Sequence, residues 1–319
     1  MSMSAAGLPT GSTAEEGRQR TLRAYRATKG ARGLGGGVRR RRPPILVISV
    51  NFMHDRRPWR PRIDAQTRCS MQYACQSPGV QSRPIIEPVE ARWQAALGRV
   101  RAAELAAGRP WGSVTLLAVS KTFPASAVRA VYALGQRSFG ENYVQEAVAK
   151  QAELADLPGI EWRLIGPLQG NKARVAASRF DWVETVDREE IAKRLSAARG
   201  GTGRPLDVLV QVNVSGEASK HGVAPGDAVV LARTIASLPW LVPRGIMGIP
   251  DPAADPAALR AQFRRLHDCF DACLDAGLPC DTLSMGMSAD LELAIAEGAT
   301  EVRIGSAIFG ARPPAKSNR

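Results

Sequence analysis

Histidine is scarce in this sequence, and cysteine is both scarce and odd in number. His54, His221 and His267 are scattered, which excludes a histidine-built metal centre. Cys69, Cys75, Cys269, Cys273 and Cys280 fit no zinc spacing, and their odd number argues against a disulfide framework. Long apolar runs are missing too. The stretch Ile45 to Val50 follows Arg39–Arg42, but it is too short for a membrane span. No small-residue cleavage site follows it, so it does not read as a signal peptide, and a cytoplasmic location is expected. Aromatic residues make up 5% of the chain, and no regular aromatic pattern accompanies the arginines of the kind a single-strand nucleic-acid platform needs.

What the chain has is positive charge, a formal net +13 over 319 residues. Its distribution decides its meaning. Residues 1–85 carry 16 Lys and Arg against four Asp and Glu, whereas the remaining residues carry 27 against 26. A basic surface spread over the whole fold is thereby excluded. Residues 1–83 mix Gly33-Leu34-Gly35-Gly36-Gly37, the arginine run and scattered prolines without usable periodicity. Such a composition cannot bury enough apolar surface to offset its ordering entropy. It reads as a disordered extension or as upstream sequence translated from an early start codon. The alternative is a basic arm for nucleic acid or acidic lipid.

From Pro84 the texture changes. Ile86, Val89, Trp93, Leu97 and Val100 recur at helical spacing, predicting a first helix to about Ala107. Strand-like segments then alternate with helices. The predicted strands are Val114–Val119, Ser138–Gly140, Trp162–Ile165, Trp182–Val186, Leu206–Val214, Arg244–Ile249, Thr282–Ser284 and Glu301–Ile304. Asp187 before Arg188-Glu189-Glu190 suggests a capping box. Asp255-Pro256 opens a longer helix with the apolar stripe Leu259, Phe263, Leu266, Phe270 and Cys273, and Gly277 is placed to stop it. Eight strand–helix units predict a single (β/α)8 TIM-type barrel over residues 84–314, with 315–319 a tail. An open doubly wound sheet would be favoured by Gly-x-Gly-x-x-Gly after the first strand, where the sequence reads Val119-Ser120-Lys121-Thr122.

A parallel barrel puts its chemistry at the C-terminal ends of its strands. Lys121 ends the first, after a nearly continuous apolar run. An ammonium at the rim of an apolar barrel is partly desolvated, so its neutral amine can attack an aldehyde and form a Schiff base. A plain surface lysine is the rival reading. Gly286-Met287-Ser288 precedes a helix over Ala289–Glu297, with Ser288 as its N-cap, and Gly305-Ser306 precedes a short apolar turn. Both suit an anion, and phosphate sites in such barrels lie after strands seven and eight. A phosphate on one side and an aldehyde-capturing lysine across the mouth suggest pyridoxal 5′-phosphate (PLP). Elsewhere the chain reads plainly. Lys220-His221-Gly222 is a loop, with Lys220 a secondary phosphate contact as the alternative. Cys269 and Cys273 pack into the core. Lys172 tops the helix after the third strand.

Several stretches, taken in order, carry a resemblance. They are Leu117-Ala118-Val119-Ser120-Lys121-Thr122, Phe139-Gly140-Glu141-Asn142-Tyr143-Val144-Gln145-Glu146, Ile165-Gly166-Pro167-Leu168-Gln169-Gly170-Asn171-Lys172, and Ser284 to Ser288 followed by Val302 to Gly310. Over residues 86–313 the sequence resembles the pyridoxal phosphate homeostasis proteins, relatives of the alanine racemase N-terminal barrel. The resemblance implies that Lys121 carries the internal aldimine and Arg303 faces the pyridine nitrogen. It implies that Ser288, Gly305 and Ser306 hold the phosphate and that Asn142 lines the pocket. Arg303 would otherwise be a rim ion pair, for example with Glu301. Arg163 stands where the family commonly has His, with local packing as the expected consequence, and Ser306 stands where it commonly has Thr. The implied function is to hold PLP and limit free aldehyde in vitamin B6 homeostasis, delivering it to apo-enzymes, with no membrane or nucleic-acid partner and as a monomer. The enzymatic alternative is a weak PLP-dependent racemase. It is disfavoured because racemase barrels take a second base from an additional β domain, and the chain stops nine residues after Gly310.

Overall fold

The alternation is realised as a closed barrel of eight parallel strands in sequential order. The structure is a computed structural model and describes residues 88–311, apart from 218 and 219. The basic extension and the 315–319 tail therefore lie outside the described residues, as do Cys69 and Cys75. An entry helix, α1 (Val89–Ala106), joins the core through Trp93, Ala96, Val100 and Ala103. Then follow β1 (Thr115–Val119), α2 (Ala125–Ala133), β2 (Ser138–Glu141), α3 (Val144–Glu153) and β3 (Glu161–Leu164). Next come α4 (Ala173–Arg179), β4 (Trp182–Val186), α5 (Glu189–Arg199) and β5 (Leu206–Val212). The second half comprises α6 (Ala228–Ser237), β6 (Leu241–Gly248), α7 (Pro256–Asp275), β7 (Thr282–Ser284), α8 (Leu291–Ala296), β8 (Glu301–Ile304) and the turn-length α9 (Ser306–Phe309). β1 pairs with β8, from Thr115 opposite Glu301 to Ala118 opposite Ile304, and this closes the sheet.

The main core lies between the sheet and the helices. Phe139, Trp162, Leu164, Val183, Val208, Val210, Ile246, Leu283, Val302 and Ile304 point outward from the strands into it. The alternate positions point into the barrel, and here the expectation of an apolar interior fails. Arg163, Glu184, Gln211, Ser284, Glu301 and Arg303 are all buried, beside a small apolar group of Trp182, Leu209 and Met247. Side chains alternate across a strand, so the apolar texture of these strands reports their helix-facing side.

Helix ends follow local chemistry in one case and not in two. Asp255 caps α7 by accepting from the Ala257 and Ala258 N–H groups, both at 2.9 Å. Asp255→Ala is expected to cost about 1 kcal/mol, read as a lower denaturation midpoint. Asp187 caps nothing. α5 starts from Arg188, and the Asp187 carboxylate turns to Arg188 and towards His221. Ser288 is not an N-cap either, because α8 begins at Leu291. Asp290 instead accepts from the Met287 N–H at 2.5 Å, so residues 288–290 form a turn.

Candidate functional site

The C-terminal strand ends enclose a cavity of about 180 Å³. Lys121, Asn142, Arg303, Gly305 and Ser306 line it together, five of the six residues expected there, from the ends of β1, β2 and β8. Val119, Phe123, Ile165, Ile249 and Met287 supply apolar walls. Ser288, the sixth, lies one residue beyond Met287 in the same turn. Lys220 lines an adjoining cavity of about 280 Å³ that shares Asn142, and its ammonium pairs with Glu217 at 2.6 Å. Lys172 ends a single 3₁₀ turn just before α4 and lines a third cavity of about 360 Å³ with Arg188 and His221. These two spaces have no signature in the sequence, since only closure of the barrel mouth creates them.

Lys121 sits in a tight turn. The Ser120 N–H continues the ladder to the Gly140 carbonyl at 3.0 Å, and the Phe123 N–H returns to the Ser120 carbonyl at 3.1 Å. Lys121 and Thr122 are its central residues. Thr122 has φ 69°, the left-handed region that a β-branched residue avoids. Such a conformation costs on the order of 1–3 kcal/mol and persists only where the surroundings hold it.

Arg303 enters from the floor. Its guanidinium donates to the Ser284 hydroxyl at 2.7 Å and to the Gly248 carbonyl at 2.8 Å. Burial pushes its pKa down, with Glu184 and Glu301 pulling the other way. A rim ion pair with Glu301 is not its role, because Glu301 pairs with Arg163 at 2.5 Å. Arg163 therefore does more than adjust packing under β3. Its guanidinium also meets Glu161 at 2.8 Å and Glu184 at 3.5 Å, and lies over the Trp182 ring at 4.0 Å. Burial opposes its charge, but the three carboxylates outweigh that and raise its pKa. Ser284 joins the two systems by donating to Glu184 at 2.8 Å. The signal was present in the sequence: Arg163, Glu184 and Glu301 are charges embedded in apolar strands.

The donor set fits PLP. Among the described residues the cavity lining holds no carboxylate; it holds amine, amide, hydroxyl and guanidinium groups, between walls apolar enough for a heteroaromatic ring. At one end Gly305 leads into α9, and the first N–H groups of a helical turn have no intrahelical acceptor. A Cβ on Gly305 would come within 3.3 Å of the Val119 carbonyl, so the close approach there suits glycine.

Closed barrel, lysine at the end of β1 and glycine-serine turn after β8 together define a class. The alanine racemase N-terminal domain family matches residues 99–313, and the chain belongs to it. Within that class it is a member of the pyridoxal phosphate homeostasis proteins. The protein of that name from Pseudomonas aeruginosa is 58% identical over 214 residues, 67% of this chain and 91% of the relative. Its namesake from Escherichia coli K12 is 47% identical over 220 residues, 68% and 94% of the two chains. Among solved structures, PipY of Synechococcus elongatus with PLP bound is 38% identical. It superposes with a TM-score of 0.62 over 70% of this chain and all of PipY.

Proposed function

We propose that this chain holds pyridoxal 5′-phosphate at Lys121 and acts in vitamin B6 homeostasis in the cytoplasm, as a monomer that passes the cofactor to apo-enzymes. One observation carries the reading: the Lys121 amine and the buried Arg303 guanidinium face one small cavity whose lining contains no acid. PLP brings to such a site an aldehyde that reacts with amines and a phosphate dianion that anchors. The PLP-bound PipY structure and the names of the bacterial relatives support the same reading.

The residues divide the work. Lys121 supplies the nucleophilic amine, beside the apolar Val119 and Phe123. Gly305 and Ser306 offer N–H and hydroxyl donors to an anion, with Ser288 nearby. Asn142 donates or accepts from the β2 side. Arg303 stays charged and can only donate, so it offers no acceptor for a proton at a ring nitrogen. Weak carbanion stabilisation follows, which favours storage over turnover. Racemisation needs bases on two faces of the substrate carbon. Of the described residues lining the cavity, Lys121 carries the one amine, and Arg303 offers no base.

The test is spectroscopic. Protein incubated with PLP should develop a visible band that borohydride removes, with the reduced cofactor mapping to the peptide containing Lys121. A chain that stays colourless, or a label on Lys220 or Lys172 instead, would sink the assignment. Solvent deuterium appearing at an amino-acid α-carbon, and lost in Lys121→Ala, would favour the racemase.

A further inference from the structure

We infer that Lys150, Glu141 and Glu146 form an ionic clamp that fixes the backbone on both sides of Lys121, and that they are positioning residues for cofactor retention. The inference rests on the proposed function above. Lys150, on α3, is buried, and its ammonium donates three hydrogen bonds of 2.7 Å. One goes to the Ser120 carbonyl, the residue before Lys121. The others go to one oxygen each of Glu141 and Glu146. That same Glu146 oxygen accepts the N–H of Thr122, the residue after Lys121, at 2.5 Å. Glu141 also accepts from the Ser120 hydroxyl at 2.6 Å. One ammonium thus reaches residue 120 directly and residue 122 through Glu146.

The arrangement explains the left-handed Thr122. A non-glycine residue with φ 69° needs something to hold it. Charge-assisted hydrogen bonds are about twice as strong as neutral ones, and here an ammonium and a carboxylate converge on a three-residue segment. The clamp lies on the helix-facing side of β1 and β2, outside the cavity lining, so it acts on the Lys121 backbone without touching a ligand. A loose turn would let the amine wander by about an ångström, enough to cost on the order of tenfold or more in a bound geometry.

Glu146 is the informative position because it is partly exposed, on the first turn of α3, so the chain should fold without its carboxylate. Glu146→Ala should speed hydrogen exchange of the Thr122 N–H in cofactor-free protein. In PLP-loaded protein it should speed PLP release on dilution on the order of tenfold, with little change in melting temperature. Glu146→Gln keeps an acceptor oxygen and should return both rates towards wild type, which a loss of helix stability alone would not explain. Lys150→Met should give the same two changes more strongly, and the double variant with Glu146→Ala should be no worse than Lys150→Met alone. Wild-type exchange at Thr122 in Glu146→Ala would overturn the clamp, and faster exchange with unchanged release would overturn its part in retention. A wild-type chain that takes up no PLP would overturn the proposed function instead; exchange at Thr122 would then still judge the clamp.

Discussion

Arg163→Met should lower the stability of the barrel by about 3–5 kcal/mol, because removing one partner leaves buried charge without compensation. Glu184 and Glu301 are almost wholly buried, and each keeps one oxygen without a hydrogen-bond donor even in the wild type. Burial, and then the neighbouring Glu184, push the Glu301 carboxyl up to about 8, against the pull of Arg163. The pH dependence follows from the sign. Glu301 is raised in the folded chain above its ordinary value near 4.5, so the folded state binds the extra proton. Its contribution is complete below about pH 4.5 and is lost as pH rises towards 8 and through it. Without Arg163 the Glu301 carboxyl holds its proton more tightly, so the decline should extend further into alkali. Glu301→Gln keeps a donor and cannot ionise, and it should flatten the same profile. Urea denaturation of the three proteins between pH 5 and 9 checks this. An Arg163→Met chain as stable as wild type throughout would contradict it.

Gly166→Ala should damage fold and site together. A Cβ at this position would lie 2.2 Å from the Asn142 carbonyl oxygen and 2.7 Å from the Asn142 Cα, both backbone atoms that no rotamer change can move. The neighbourhood is held on both sides. The Ile165 N–H donates to the Glu141 carbonyl at 2.9 Å, and the Thr185 hydroxyl donates to the Gly166 carbonyl at 2.7 Å. Relief therefore requires the end of β2 to move, and Asn142 with it. A loss of about 3 kcal/mol is expected, together with weaker PLP uptake, read by denaturation and by titration of the visible band. Gly226→Ala is the control, since nothing lies within 4 Å of its added methyl and its φ is not positive. It should stay within about 0.5 kcal/mol of wild type.

Much of the architecture was legible because it depends on local pattern. Of the eight strands, Trp182–Val186, Thr282–Ser284 and Glu301–Ile304 have the expected bounds, and the others differ by no more than three residues at either end. Short apolar runs between amphipathic helices leave few alternatives to a parallel barrel. Errors fell where a side chain had a choice of partner. Asp187 and Ser288 have the chemistry of caps, but Asp187 found Arg188 and His221, and the turn at 288–290 was closed by Asp290. The clamp was invisible for a related reason. Glu141 and Glu146 share a motif with Asn142 and Lys150 follows it, yet nothing in their spacing says that Lys150 reaches across to Ser120, 30 positions earlier.

The sequence by itself determined the strand–helix alternation, the concentration of positive charge before residue 86, and the presence of a lysine and a glycine-serine turn at strand ends. Those properties depend on neighbours within a few residues, and periodicity records them. The tertiary structure alone decided which charges meet. Closing the sheet turned Arg163, Glu184, Glu301 and Arg303 onto one interior face and brought Lys121 and Arg303, far apart in the chain, to one cavity. Coulomb energy and desolvation depend on distance and burial in space, and neither is written in the order of the residues.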